Sequence, residues 1–377
     1  MGTNIRFNRQ ELAGAFGDIG TDFPLIVGMI MVAGLDACSV LVMYGLMQIF
    51  TGLVYQRPMP VQPLKAMAAL VITQKVSAGT LYGGGLAIGI VMLFLSVTGA
   101  LDVLARWIPK VVVRGIQMGL GLSLGLLALK EYIPKDGMIG YALALASVVL
   151  LCLFWSHRRF PAALWVIVLG ILYAWIFKVH PQEMYSHFGF QLPMVRFPQW
   201  TDIVTGFLVL ALPQIPLSLG NSILATRQTN EDFFPKQPLT LRTIGMTYGL
   251  MNLINPFFGG VPVCHGSGGM VGHYAFGART GGSIILYGTL YLVLGLFLSK
   301  GFAQVVHFFP LPMLGVILCV EAVGLMVLVR DIAARKDDLW IAMMVAIMAC
   351  TLPYGFLIAT IFGVCAQAYV HHLRREA

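Results

Sequence analysis

Apolar runs of about 20 residues recur along almost the whole chain, from residue 13 to the C-terminus. A helix needs about 20 residues to cross the hydrocarbon of a bilayer. Because lipid offers no hydrogen-bond partners, such runs fold as helices whose backbone groups pair internally. Of the 377 residues, 58% are hydrophobic and only 11% are charged, against about 25% charged in an ordinary soluble domain. The sequence therefore predicts a polytopic, all-α membrane protein.

Glycine, proline and charged residues divide these runs into fourteen segments. The segments lie at about 13–35, 37–54, 60–76, 80–100, 110–130, 138–156, 160–178, 203–226, 241–258, 262–277, 281–299, 311–329, 338–353 and 355–372. The first segment has no small-residue cleavage pattern and is expected to be a retained span, not a signal peptide. A long polar stretch separates two groups of seven segments, at 1–178 and 200–377.

Lysine and arginine residues are distributed unevenly between the two sides of this arrangement. With a cytoplasmic N-terminus, the basic residues in outside loops are Lys130, Lys135, Lys178, Arg196 and Lys300. Lys65 and Lys75 fall in a span, and the remaining basic residues fall inside. The pattern agrees with the positive-inside rule and predicts fourteen spans in the plasma membrane with both termini cytoplasmic. It also accounts for the net charge of +8 without a nucleic-acid partner.

The two halves repeat the same order of features. PMPVQP is followed by GTLYGGG and then WIPKVVVRGIQ, whereas FFGGVPVCHGSGG is followed by GARTGGS and then FFPLPMLGVILC. Seven spans per half is an odd number, so the halves lie in opposite orientations. This predicts an inverted-topology repeat, which is typical of secondary transporters.

Proline interrupts the third and tenth segments, so a helix does not run through them. We expect extended backbone to about Val61 and a half-helix from Gln62 or Pro63. In the second half, Pro262 precedes a half-helix opened by Gly266, Ser267, Gly268 and Gly269. Two helix N-termini that meet in mid-membrane each offer unpaired N–H groups and about half a positive charge. Together they predict an anion site that needs no metal; ordinary proline kinks between packed helices are the alternative.

Charged residues inside the membrane are costly and usually face a cavity or a partner. Lys65 is open to two interpretations: it binds the anion, or it pairs with Asp18 or Asp22 of the first segment. Asp18 and Asp22 are four residues apart and share a helix face; each is a candidate for proton coupling or for a structural role. Glu321, alone in the twelfth segment, is expected to be structural.

The eighth segment carries polar residues in LPQIPLSLGNSILATRQ. Gln214, Ser218 and Asn221 share a helix face; such a face lines a substrate path or bonds to neighbouring helices. His265, at the mouth of the second half-helix, is a candidate for substrate contact or proton sensing. No catalytic or nucleotide-binding motif is present, so we expect neither an enzyme nor a cofactor or metal.

At these residues the sequence resembles the MOT1-type molybdate transporters, distant relatives of the SulP sulfate permeases and the nucleobase–cation symporters. The stretches that carry the resemblance are FGDIGTDFPLIVG, PMPVQPLKAMAA, LPQIPLSLGNSI and PVCHGSGGMVGHYAFGARTGG. The resemblance implies a core domain of spans 1–4 and 8–11, a gate domain of spans 5–7 and 12–14, and no soluble STAS domain. It implies an oxyanion site lined by Gln62, Lys65, Gly266, Ser267 and the polar face of the eighth span.

The function expected from these features is proton-coupled import of a tetrahedral oxyanion, first of all molybdate, by alternating access. Sulfate and tungstate share the charge and shape of molybdate and remain open. A nucleobase or carboxylate symporter of the same fold is a second hypothesis, although it would be expected to carry a carboxylate in the eighth span. An anion channel is a third. The partners implied are the oxyanion, the lipid bilayer and, in a homodimer, a second copy of the chain.

Overall fold

The computed structural model describes residues 5–101, 103, 109–155, 161–177, 189–352 and 354–376. The described elements are α1 Arg9–Ala15, α2 Ile19–Ala33, α3 Ala37–Tyr55, β1 Val61–Pro63, α4 Lys65–Gln74, α5 Ala78–Thr98, α6 Lys110–Leu127, α7 Gly137–Phe154, α8 Ala162–Phe177, α9 Trp200–Phe233, α10 Leu241–Ile254, β2 Val263–His265, α11 Ser267–Ala275, α12 Gly282–Phe308, α13 Leu311–Val327, α14 Lys336–Thr351 and α15 Gly355–Glu376. The predicted segment ends at 156, 160, 178 and 353 lie outside the described residues.

Seven of the described helices are long and apolar enough to cross a membrane, and the bent pair of α1 and α2 makes an eighth. The seven are α3, α5, α6 with its continuation to Tyr132, α7, α9, the first 21 residues of α12, and α13 with its continuation to Ile332. Two shorter apolar helices, Ala162–Phe177 and Gly355–Val370, accompany them. The chain is thus a mostly helical, polytopic membrane protein, with two short strands that the all-α prediction did not include.

Two predicted segments contain irregular turns that the sequence did not predict, and the eleventh, predicted to end at 299, continues as α12 to Phe308. The first is bent by 43° between α1 and α2, where residues 16–18 interrupt it. The eighth runs for 34 residues and contains two π-helical turns, Phe207–Ala211 and Ser218–Leu224. These turns flank the stretch with Pro213 and Pro216, whose missing N–H groups disturb the regular ladder.

The polar end of α9 extends beyond the predicted boundary at 226. Arg227 bonds Glu231 at 2.8 Å, and Gln228 bonds Asp232 at 2.9 Å. Pairs four residues apart support an exposed helix, so this end stays helical although its residues are polar.

The helices pack into two bundles. The strand-containing bundle comprises α1–α5, β1, α9, α10, β2, α11 and α12; the second bundle comprises α6–α8 and α13–α15. Within the first, α3 crosses α12 closely at Gly45 and Gly288, where a Cβ on either glycine would stand 2.6 Å from the other's carbonyl oxygen. Small residues at such crossings let membrane helices approach one another. The bundles meet where α2 and α4 contact α13 and α6.

Candidate functional site

The two proline-interrupted segments meet in the middle of the strand-containing bundle. Strands β1 and β2 pair in antiparallel register, with Gln62 opposite Cys264. Each strand leads directly into a short helix, so α4 and α11 run away from the strand pair in opposite directions and turn their N-termini towards it. Helix α4 begins at Lys65, later than the predicted start at Gln62 or Pro63, because both of those residues belong to the strand pair.

An amide side chain bonds the backbone of each strand at equivalent places. Gln48 on α3 donates to the Val61 carbonyl at 2.7 Å and accepts from the Val61 N–H at 2.9 Å. Asn252 on α10 does the same to Val263, at 2.6 and 2.8 Å. A two-stranded ladder leaves outer backbone groups without partners, which is costly in a membrane. These two buried side chains satisfy them.

The N-terminus of α4 is capped by the eighth predicted segment. Gln214 Oε1 accepts from the N–H groups of Ala66 and Met67 at 2.9 and 3.3 Å. Gln214 Nε2 donates to Ser218 at 3.0 Å, and Ser218 bonds Tyr248 at 2.8 Å. The expectation that α4 offers unpaired amides is therefore wrong for Ala66 and Met67, because a side chain distant in sequence occupies them.

The N-terminus of α11 is different. Its N-cap residue is Gly266, which has no side chain to cap the following amides. A Cβ at Gly268 would meet nothing within 4 Å, and this residue is exposed. The first turn of α11 is thus open to free space at Gly268, beside a half-buried Ser267. Of the two half-helices, α11 is the one whose first turn stays open, at Gly268.

Two polar side chains from other elements lie over the same end of α11. Gln62 covers Gly266, and Asp18 covers Gly269, each so closely that a Cβ on the glycine would overlap it. Gln62 Nε2 donates to Asp18 Oδ2 at 2.5 Å. Glycine is needed at both positions because the neighbouring side chain approaches the backbone.

For the interpretation of Lys65 as a member of an ion pair, the structure shows a different carboxylate from the two considered. The Lys65 Nζ lies 2.6 Å from Oε1 of Glu321 on α13, and Thr21 donates to the other carboxylate oxygen at 3.1 Å. Asp18 is bonded by Gln62 instead, and Asp22 accepts from Tyr287 at 3.2 Å. The pairing with Asp18 or Asp22 was wrong because residues 256 positions apart meet across the two bundles, which helix spacing cannot indicate.

Not all predicted site residues converge here. His265 Nε2 bonds Thr247 at 2.7 Å and the ring packs edge-on against Tyr55, so its side chain is fully buried among α3 and α10. Asn221 lies in the second π-helical turn and is half-buried, unlike Gln214 and Ser218. The wider turn takes it off the face that a regular helix would give.

A cavity of about 170 Å³ lies next to the group formed by Asp18, Thr21 and Glu321. It is bounded by the beginning of α2, the end of α7, the start of α8 and the middle of α13. The Lys65 and Glu321 side chains are 16% and 13% exposed. The Glu321 carboxylate of this ion pair therefore borders a space between the two bundles.

The chain shares its fold with solved anion transporters. The transmembrane domain of a cyanobacterium bicarbonate transporter, BicA, matches with a TM-score of 0.66 at 17% identity, covering 96% of this chain and 98% of that one. The murine Solute Carrier 26 family member A9 anion transporter in the inward-facing state matches with a TM-score of 0.74 at 13% identity, covering 98% and 69%. The class defined by fold and relatives is an integral membrane transporter, not an enzyme.

The sequence comparisons identify the family. The model for "Molybdate transporter of MFS superfamily" matches residues 10–124 and 206–325. Molybdate transporter 2 of Arabidopsis thaliana is 32% identical over 379 residues, covering 87% of this chain and 80% of that protein. The chain belongs to this molybdate transporter family, as the sequence motifs indicated.

Proposed function

We propose that this chain is a secondary transporter that imports a tetrahedral oxyanion, molybdate first of all, through the site at the N-terminus of α11. The proposal is supported by membership of the molybdate transporter family and by the anion-transporter fold. The observation that carries it is the glycine N-terminus of α11, uncapped by its N-cap residue and open at Gly268. Backbone N–H groups at a helix N-terminus bind oxyanions without a metal.

The proposed ligands are the α11 amides from Ser267 to Gly269 together with the Lys65 ammonium. The helix end offers directional donors and about half a positive charge, and lysine adds a full charge close to the same strand pair. Gln62 has an amide that can turn from Asp18 to an oxyanion oxygen. Gln214 shapes the site by capping α4, and Ser218 accepts from Gln214. The His265 ring bonds Thr247 instead, and Asn221 is half-buried.

The proposed architecture is fourteen spans in two inverted repeats, at 1–178 and 200–377. The matching side-chain bonds from Gln48 to β1 and from Asn252 to β2 support it, because α3 and α10 hold the same position in the two halves. The strand-containing bundle is proposed as the core domain and the second bundle as the gate domain. Both termini are proposed to be cytoplasmic, in the plasma membrane.

Transport is proposed to proceed by rigid-body movement of the core against the gate, so that a fixed site opens to alternate sides. The site sits on the core and faces the gate through the Lys65–Glu321 contact. Cavities between the bundles border both this contact and, elsewhere, the C-terminal residue of α4, Gln74. A small relative movement would enlarge one cavity and close the other.

Import of a dianion opposes a negative-inside potential by about 4.6 kcal/mol at 100 mV, at about 2.3 kcal/mol for each charge. Accumulation therefore needs co-transported cations, and protons are proposed. Asp18 and Asp22 are the candidate carriers, since both are buried carboxylates in the core. Asp18 touches the proposed anion site through Gln62 and is the better placed of the two.

Competition binding on the purified protein tests the substrate class. We expect molybdate and tungstate to compete at one site, sulfate more weakly or equally, and uracil and benzoate not at all. Displacement by uracil or benzoate without displacement by any oxyanion would favour the symporter alternative. Saturable, slow uptake into proteoliposomes would exclude a channel, whereas single-channel currents would establish one.

Uptake into the same proteoliposomes tests proton coupling. An inwardly directed proton gradient is expected to raise the initial rate of molybdate uptake at zero potential. A rate that stays unchanged under the gradient would contradict coupling to protons while leaving the anion site intact.

A further inference from the structure

Glu321 connects the two bundles by an ion pair with Lys65, which is a residue of the proposed anion site. It sits in the middle of α13 in the second bundle, whereas Lys65 opens α4 and Thr21 lies on α2, both in the strand-containing bundle. The carboxylate uses one oxygen for Lys65 at 2.6 Å and the other for Thr21 at 3.1 Å. Both oxygens are therefore engaged by the bundle that α13 must move against.

A carboxylate resembles half of an oxyanion in charge and oxygen geometry. Glu321 presents two oxygens to an ammonium and a hydroxyl, the same kinds of donors that bind a tetrahedral oxyanion. The ammonium cannot bond fully to the carboxylate and to a second anion at the same place. The neighbouring Asp18 accepts from Gln62, whereas the ion pair of the Lys65 ammonium is with Glu321.

We propose that Glu321 is a tethered competitor of the transported oxyanion for Lys65, so that binding of the anion releases α13 from α4 and α2. The proposal rests on the proposed oxyanion site. In the absence of substrate, Glu321 pairs with the Lys65 ammonium and holds the two bundles together. An oxyanion that binds the Lys65 ammonium displaces Glu321, so the contact between the bundles breaks when the anion binds.

Access and exposure agree with this role. The cavity of about 170 Å³ is lined by Asp18, Thr21 and Glu321 together, so an anion that enters it reaches the carboxylate that binds Lys65. A pair buried away from any cavity would serve packing alone. Here the two charges are 16% and 13% exposed, which leaves room for exchange of one partner.

If Glu321 competes with the anion, removing it changes the Kd of the anion in a direction that a purely structural ion pair does not predict. When the binding-competent state is only partly populated, the apparent Kd rises by the inverse of that population. Removing the competitor therefore strengthens anion binding. Removing a carboxylate that merely positions Lys65 weakens it or leaves it unchanged. Because Glu321→Gln also removes a negative charge beside the site, the direction of the change in Thr21→Val, which alters no charge, separates the two roles.

The test measures the Kd of molybdate for the purified full-length protein by isothermal titration calorimetry at one pH and ionic strength. Glu321→Gln is expected to lower the Kd about 5-fold or more, the lower end of usual coupling between sites. Thr21→Val, which removes one donor to Glu321 and no charge, is expected to lower it by a smaller factor. If Glu321→Gln does not fold, Thr21→Val decides the question.

Asp331→Asn is the matched control. Asp331 follows α13 and pairs with Lys110 at 2.8 Å and with Arg114 at 2.5 Å, both on α6 of its own bundle. Its loss removes a carboxylate from the same part of the chain without touching the contact between bundles, so the Kd is expected to stay unchanged.

A Kd that rises or does not change in Glu321→Gln, or in Thr21→Val where that variant decides, overturns the competition. The proposed oxyanion site survives that outcome if the wild-type protein binds molybdate and Lys65→Met weakens binding. Absence of molybdate binding in the wild-type protein would instead refute the proposed function.

Discussion

Replacing Gly268 with valine tests the anion site without disturbing the fold. The Cβ at this position would meet nothing within 4 Å, and valine has a helix propensity better than that of glycine by roughly a few tenths of a kcal/mol. The stability of the protein should therefore stay the same or rise slightly. Glycines 266 and 269 do not offer this test, because a Cβ there would overlap Gln62 or Asp18.

The expected effect on binding follows from where the new side chain points. A Cβ at Gly268 enters free space at the N-terminal turn of α11, and the oxyanion is proposed to fill this space. Crowding a well-fitted site by a few carbon atoms costs about 1–3 kcal/mol. Since about 1.4 kcal/mol corresponds to tenfold in affinity, the Kd of molybdate should rise by roughly 5- to 150-fold. Gly268→Ala should give a smaller rise.

Calorimetric titration with molybdate measures the Kd, and thermal unfolding of the detergent-solubilised protein measures stability. Gly324→Val is the control: this glycine is also helical, lies on α13, and would have no neighbour within 4 Å of its Cβ. We expect an unchanged Kd for the control. If Gly268→Val binds molybdate as tightly as the wild type, the site does not lie at the N-terminus of α11.

Three further predictions follow from the contacts around the site. Lys65→Ala should raise the Kd of molybdate at least about 10-fold, since a charged hydrogen bond contributes about 1.5–3 kcal/mol. Because Lys65→Ala leaves Glu321 without its partner, the double variant Lys65→Met with Glu321→Gln should fold better and bind molybdate as weakly. Tight binding by the double variant would refute the role of Lys65. Asn252→Leu should lower the melting temperature, because two buried backbone groups of Val263 lose their partner at about 1–3 kcal/mol each; an unchanged melting temperature would mean that the strand pair does not need this amide. Glu11→Ala should destabilise the protein by about 3 kcal/mol or more, since its buried carboxylate accepts from the N–H groups of Arg279, Thr280 and Ser283 at 2.9–3.0 Å; equal thermal stability would contradict it.

The positions of helices and breaks were accessible from sequence because both depend on local properties. Apolar length predicts a helix wherever lipid must be crossed, and the described helices overlap every predicted segment. The interruptions at Pro63 and Pro262 follow from missing amide donors. The paired strands between them did not follow, because a three-residue strand exists only through a partner about 200 residues away in the chain.

The partners of polar residues were the least predictable part of the site. The sequence marks Gln214 as a polar residue in a span, but its role as the cap of α4 depends on how α9 packs. In the sequence, Glu321 and Lys65 are each single charges inside a predicted span. Leaving either charge unpaired in a membrane costs free energy. Since a buried cation and a buried anion in one membrane domain reduce each other's penalty, this cost is the sequence signal that could have predicted their pairing.

Resolution of the bound anion itself tests the central idea most directly. Tungsten scatters X-rays anomalously at its absorption edge. Diffraction data collected at that edge from crystals soaked with tungstate therefore locate the anion without ambiguity. We predict an anomalous peak within hydrogen-bond distance of the N–H groups of Ser267, Gly268 and Gly269, with the Lys65 ammonium turned towards it and away from Glu321. A peak elsewhere in the membrane region, with the end of α11 empty, would contradict the account.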